Sequence, residues 1–381
     1  MIGFSLSDDL VEIQARARRF AQQEIAPIAA EYDRRGEMPA DIARKAKEAG
    51  LLNVTMPRAY GGMGYGALQS ALVAEELGAA CAGIGTILMA NTLALTPILL
   101  FGSEEQKQQF LRPLAEGARL AAFCLTEREA GSDAASLKTT ALFDGDDYVL
   151  DGQKCFITNG GVADILTVFA LTDPASERPA AGVSALIVPA TAPGVRVTKV
   201  EDKMGQRASN TVELTFEGVR VPQANLLGKP GWGFAIAMET LDTARSGVAA
   251  LSVGVARAAL EYAVGYAKQR HQFGKPILTN QGVSFMLADM AMKVEAARLL
   301  TWQAASLLDE GENVTAKAAM AKCFASDTAM EVTTNAVQIL GGVGYMKDYP
   351  LEKLMRDAKL LQIYEGTNQI QRMVIARLLR R

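Results

Sequence analysis

Glu365 lies between Tyr364 and Gly366 in the run Ile363-Tyr364-Glu365-Gly366-Thr367-Asn368-Gln369-Ile370-Gln371-Arg372, which carries no other charge before Arg372. A carboxylate set among apolar and neutral groups has its proton affinity raised by desolvation, which suits it to act as a base. Gly366 allows close backbone approach. Thr367, Gln369 and Gln371 offer neutral hydrogen-bonding groups before the apolar run Met373 to Leu379. These ten residues alone also fit a solvated glutamate in a turn.

Two further stretches could do chemistry. In Phe123-Cys124-Leu125-Thr126-Glu127-Arg128-Glu129-Ala130-Gly131-Ser132-Asp133, a short apolar strand leads into a turn rich in hydroxyls and backbone amides. Such a turn could grip a ring edge or a phosphate, although by itself it also reads as an ordinary β-turn. Lys154-Cys155-Phe156-Ile157-Thr158-Asn159-Gly160 places an aromatic on a strand, a position more often core than ligand wall. Asp242 and Arg245, three apart on a helix, are most simply a surface ion pair. Gln338 to Gly342 closes a helix with two glycines. The Gly-rich segment Pro57 to Gly66 lacks the strand-turn-helix setting of a phosphate cradle and is expected to be a loop.

Other chemistries are excluded or disfavoured. One histidine, His271, serves the whole chain, so multi-histidine metal sites are impossible and Ser-His-Asp catalysis would have to run through it. Its polar setting, Arg270 to Lys275, points to a surface or interface residue. No metal site is expected. Cys81, Cys124, Cys155 and Cys323 form no CxxC pair and are expected to be buried free thiols. A net charge of -3 argues against a general affinity for nucleic acid or anionic lipid. The start, Met1 to Asp9, has no basic region followed by an apolar core, and the apolar stretches read as too short or interrupted to span a bilayer. The expectation is therefore a soluble cytoplasmic protein.

The elements that must position these residues follow from periodicity. The chain has 381 residues, 49% hydrophobic and 21% charged, enough for two or three cores. Residues 1–120 read as helices: one from Ser7, interrupted at Pro27, one from Pro39 to Ala49, then Leu68–Gly78, Gly85–Leu100 and another after Ser103. Residues 121–228 hold short β-rich runs separated by turns, at Ala121–Leu125, Thr139–Phe143, Asp147–Leu150, Lys154–Thr158, Ile165–Leu171, Val183–Val188, Val195–Lys199 and Thr211–Phe216. This spacing suggests an antiparallel sandwich or barrel rather than βαβ units. Residues 229–381 return to helical period at about 235–270, 281–308, 315–340 and from 351 onward, which suggests a four-helix bundle. The fold class is thus α+β, in the order α, β, α.

Tyr-Glu-Gly-Thr followed by Gln-Ile-Gln-Arg (residues 364–372) resembles the C-terminal motif of the acyl-CoA dehydrogenases, in which this glutamate is the catalytic base. The resemblance runs over essentially the whole chain, and the α, β, α order is also that family's. Thr126 to Asp133 looks like the family's TEPGAGSD signature, which implies that Phe123, Leu125 and Thr126 meet a flavin ring and Ser132 reaches both cofactor and substrate. Arg128 and Glu129 stand where the family has Pro-Gly, a replacement that leaves the turn's rigidity open but not the residues aimed inward. Lys154 to Gly160 resembles K-x-W/F-I-T-N-G, which implies that Phe156 packs on the flavin and that Ile157 and Thr158 also lie at the cofactor.

The same resemblance implies that Arg270, Gln272, Phe273 and Gln281 cross to a neighbouring subunit's FAD. It puts Gln338, Gly341 and Gly342 on the adenine side, and Thr367 and Gln369 at the cofactor. Thr86, Met89, Tyr364 and Gly366 would line the acyl pocket, with Ile87, Leu88 and Leu93, while Asp242 and Arg245 would meet the CoA portion. Some relatives carry their base at the position of Ala244, so here it can only be Glu365. The implied activity is FAD-dependent α,β-dehydrogenation of a short- or medium-chain acyl-CoA by a homotetramer, with electrons passed to an electron-transferring flavoprotein. An enoyl-CoA reductase or acyl-CoA oxidase on the same fold is an alternative. So is a DNA-associated flavoprotein, for which Arg377, Arg380 and Arg381 are the cue.

Overall fold

A computed structural model describes residues 5–380; Arg381 and the first four residues of the N-terminal stretch lie outside it. Helix Asp8–Phe20 continues through a single π turn, Ala21–Ile25, into helix Ala26–Arg35. Pro27 falls in the first turn of that last helix, where its missing N–H is tolerated, so the chain bends without stopping. Helix Ile42–Glu48 follows, and Ala67–Phe101 runs 35 residues with one non-helical residue, Cys81 (φ −166°, ψ 111°). That break is the gap anticipated between two separate helices.

The sheet has eight strands, ordered Val195–Val200, Thr211–Pro222, Asp147–Thr158, Thr140–Asp144, Ile165–Leu171, Val183–Pro189 and Leu226–Leu227, with Ala121–Cys124 added beside Ile165–Leu171. It is not wholly antiparallel: Ala121–Cys124 pairs parallel with Ile165–Val168, and Thr140 pairs parallel with Leu171. The strand arriving from the helical region has no hairpin partner, and the intervening strands supply the crossover that a parallel pairing needs. Two runs expected as separate strands form one, Asp147–Thr158, which passes Gly152 and shifts register twice against Thr211–Pro222. Val168, Leu186, Leu214 and Phe216 fill the sheet core.

Helices Gly233–Gln269, Gln281–Asp309 and Thr315–Leu340 pack through small residues, among them Ala256, Ala263, Ala325 and Ala329, all buried. The last segment is two helices, Leu351–Leu361 and Asn368–Leu378, and Glu365 sits in the break between them. Helix Gly233–Gln269 also crosses Ala67–Phe101 with backbones almost touching: a Cβ at Gly254 would fall 2.1 Å from the Glu75 carbonyl oxygen. Both of these long helices are apolar enough to cross a membrane by length and composition, contrary to expectation, but 67% of each apolar window is buried in the protein. Their hydrophobicity serves the internal crossing that frames the cavity described next.

Candidate active site

Residues 362–367 turn sharply because two consecutive residues adopt left-handed backbone, Glu365 at φ 53° and Gly366 at φ 89°. A non-glycine residue held there stores strain, which must be offset by its surroundings. Gln371 Nε2 donates to the Glu365 and Gly366 carbonyl oxygens at 3.2 and 3.0 Å, and Lys322 Nζ donates to the Gly366 oxygen at 2.9 Å. Thr367 caps the following helix, its hydroxyl accepting from Ile370 N–H at 3.3 Å. The Glu365 side chain enters a cavity of about 290 Å³. The residue is half-buried, but its Oε2 is sealed from solvent without a hydrogen-bond partner. Burial pushes its carboxyl up to about 7 against the opposing pull of the Lys322 and Arg245 charges.

Facing Glu365 is the end of the sheet. Phe123, Leu125, Thr126, Ser132, Phe156 and Thr158 all line the same cavity. Phe156 sits at the second register shift of its strand, with φ 57°, and its ring is 64% exposed within an otherwise buried stretch. The irregularity re-aims this one side chain away from the core. Ile157 points the other way into the sheet core, 2% exposed, and does not line the cavity where it was expected.

The turn carrying Ser132 is closed by hydrogen bonds although it lacks Pro-Gly. Glu127 and Ala130 exchange backbone hydrogen bonds of 3.2 Å, and the buried Glu127 carboxylate accepts from Lys138 N, Thr139 N and Lys154 Nζ. Arg128 and Glu129 point outward to Glu213 and Lys138.

The third wall is helical. Thr86, Met89 and Leu93 share one face of Ala67–Phe101 and line the cavity, whereas Ile87 and Leu88 turn onto the opposite face and are buried in the N-terminal core. They are not pocket residues. Thr86 Oγ1 donates to Gln206 Oε1 at 2.8 Å and lies 3.4 Å from the Tyr364 hydroxyl. Burial raises the Tyr364 hydroxyl's proton affinity, keeping it neutral. Arg245 lines the cavity at only 5% exposure, so its pair with Asp242 is not a surface one. Its Nε has no partner. Asp242 itself stands behind, accepting from Thr315 Oγ1 at 2.7 Å.

Arg270, Gln272, Phe273, Gln281, Gln338, Gly341, Gly342 and Gln369 are exposed and do not border this cavity; Phe273, at φ 52°, is 97% exposed. Gln206 and Lys322 were not anticipated. Nothing local in sequence marks either one; each acts through a partner more than forty residues away.

Residues 7–118, 122–219 and 231–379 match the N-terminal, middle and C-terminal domains of the acyl-CoA dehydrogenases. An acyl-CoA dehydrogenase of Bacillus subtilis is 50% identical over 98% of both chains. The structure of butyryl-CoA dehydrogenase from Megasphaera elsdenii superposes over the full length of both chains with a TM-score of 0.97 at 46% identity. A chain in a structure described as the electron transferring flavoprotein of Acidaminococcus fermentans matches equally well, with a TM-score of 0.97, 51% identity and full coverage of both chains. With all three domains matched and identities of this size over its full length, the chain belongs to the acyl-CoA dehydrogenase family of oxidoreductases.

Proposed function

We propose that the protein removes two hydrogens from the α and β carbons of a short- or medium-chain acyl-CoA, giving the trans-2-enoyl-CoA, with FAD as the immediate acceptor and an electron-transferring flavoprotein as the next. The observation that carries this reading is that Glu365, whose Oε2 is buried and unpartnered among the described residues, lines the same cavity as the outward-turned Phe156. The residues fit a flavin: an exposed aromatic held by a strained backbone at the end of a strand offers a flat apolar wall, and Thr126, Ser132 and Thr158 offer hydroxyls beside it. FAD when bound supplies the hydride acceptor at the substrate β-carbon and a ribityl hydroxyl for the thioester oxygen.

The chain's own residues do the rest. The Glu365 carboxylate takes the α-proton. The Glu365 N–H donates to the thioester oxygen, spreading the charge that develops there as the proton leaves. Phe123, Leu125 and Met238 exclude water, which strengthens that hydrogen bond. Arg245, through its free Nε, meets the CoA portion. The chain divides functionally at 1–120, 121–228 and 229–381, and a second copy completes the cofactor site through Arg270, Gln272 and the bare Phe273, consistent with a homotetramer. Anaerobic mixing with acyl-CoAs of graded length tests the reading: a matched substrate bleaches the flavin within one turnover, and an electron-transferring flavoprotein restores the colour. Bleaching by NADH and not by any acyl-CoA would favour the reductase instead.

Met89 sets the expected length preference. Its terminal methyl lies over Gly247, 2.3 Å from where a Cβ would be, and Met89, Leu93 and Gly247 border both the main cavity and a second one of about 240 Å³. The side chain is the partition between them. Met89→Ala is expected to join the two and raise kcat/KM for octanoyl-CoA relative to butyryl-CoA at least about tenfold, since even one further accommodated methylene is worth about 1–3 kcal/mol. An unchanged ratio would show that the partition does not limit the acyl chain.

A further inference from the structure

Lys322, on helix Thr315–Leu340, is fully buried directly behind the Glu365 turn. Its Nζ donates to the Gly366 carbonyl oxygen and to Asn368 Oδ1, both at 2.9 Å. Asn368 is itself fixed: its Nδ2 donates to Ser326 Oγ at 2.9 Å and Asp327 Oδ1 at 2.7 Å. Asp327 in turn accepts from Gln362 Nε2 at 2.7 Å and Arg372 Nη2 at 2.6 Å. One end of the turn (Gln362) and the residue that follows it (Asn368) are therefore tied to the same helix, with the ammonium between them.

Burying an ammonium costs stability unless it is used. Among the described residues, both oxygens that Lys322 Nζ donates to are neutral. We propose that Lys322 is the positioning residue of the base: its ammonium clamps the Gly366 carbonyl, holding the Glu365–Gly366 peptide left-handed with a positive charge set behind the turn. The inference rests on Glu365 being the base. The charged groups bearing on Glu365 are Lys322 and Arg245, from two different helices. Those bearing on Lys322 are Glu365, Asp327, Cys323 and Arg245, and burial brings its ammonium down to about 8, so it is charged at neutral pH.

Lys322→Met in the FAD-loaded enzyme is the test. The Glu365 carboxyl is titrated by infrared difference spectroscopy, with Glu365→Gln subtracted to assign the band, and flavin reduction by butyryl-CoA is followed across pH. Loss of a positive charge this near is expected to move the Glu365 midpoint upward by about one pH unit, slowing reduction about tenfold at pH 6. Gln371→Met removes the other donor to the same carbonyls and keeps the charge; it is expected to slow reduction with the midpoint where the wild type has it. If Lys322→Met does not fold, Lys322→Gln, which keeps a donor without the charge, carries the same expected midpoint shift. A midpoint unmoved in the lysine variant, whatever happens to thermal stability, overturns the proposal. Full activity of Glu365→Gln would instead overturn the assignment of the base, a separable result.

Discussion

Glu365→Gln is expected to retain FAD and bind acyl-CoA while losing flavin reduction by a factor of about 10² to 10⁴, the usual worth of a general base. Gln preserves size and can still be held by the turn, whose fixing contacts are to backbone oxygens and not to the carboxylate. A loss confined to the chemical step, with substrate affinity kept, separates this role from a binding one. In the wild type, a carboxyl pushed up to about 7 makes kcat/KM rise with pH below that value and level off above it. Turnover that survives the substitution, or a rate flat from pH 5.5 to 8, would remove Glu365 from the mechanism.

The same substitution has a stability consequence of opposite sign. The folded-state affinity of Glu365 for its proton exceeds that of an ordinary glutamate near 4.5, so the folded protein holds the proton more tightly between 4.5 and about 7. Whatever stability the protonated group contributes is lost as pH rises through that window. Gln does not ionise, so the variant is expected to become the more stable protein as pH passes 7, by up to about 3 kcal/mol. A base kept dry for catalysis is destabilising when charged, as expected where function opposes stability.

Much of this site could be read from the chain because its parts are local. Much of the cavity lining outside the two long helices comes from short runs within 123–135, 156–158 and 364–370, each readable as a strand end, turn or helix start. What could not be read depends on distance or on a single backbone choice. Ile87 and Leu88 look like pocket residues beside Thr86 and Met89, but a helix spreads consecutive residues around its axis and buries those two elsewhere. The break at Glu365 interrupts a sequence whose apolar period would carry a helix onward from Leu351, because a lysine over forty residues upstream takes up a carbonyl that the helix leaves free. The exposed group around Phe273 is legible as a motif, yet within one chain it stands away from the cavity, and its proposed role at a cofactor rests on a second copy.

Lys154→Met is expected to cost about 3–5 kcal/mol of stability and to release FAD, because it breaks a buried pair from one side. Lys154 is fully buried, donating to Leu125 O at 3.0 Å and Glu127 Oε1 at 2.7 Å. Burial works against the charge on Glu127, but the Lys154 ammonium and the amides of Lys138 and Thr139 outweigh it and hold the carboxyl below its usual range. Met fills the space of the lysine stem yet leaves that carboxylate without its cation, and it takes the donor from the Leu125 carbonyl, so the strand end is held to the strand that carries Phe156 by the Cys155 N–H bond to the Thr126 oxygen at 3.0 Å without the lysine beside it. The two strand ends that border the cavity are then held together less firmly. Glu127→Gln is the complementary case: it strands the ammonium, whose proton affinity burial already depresses. Its deficit should narrow as pH rises toward the unfolded lysine's 10.5, because the folded protein sheds that proton first. Denaturant titrations of the holoenzyme across pH, with FAD release followed by fluorescence, read both effects. If Lys154→Met kept FAD as tightly as the wild type, the pair would be a matter of sheet stability alone and the shape of the Ser132 turn would have to be set elsewhere.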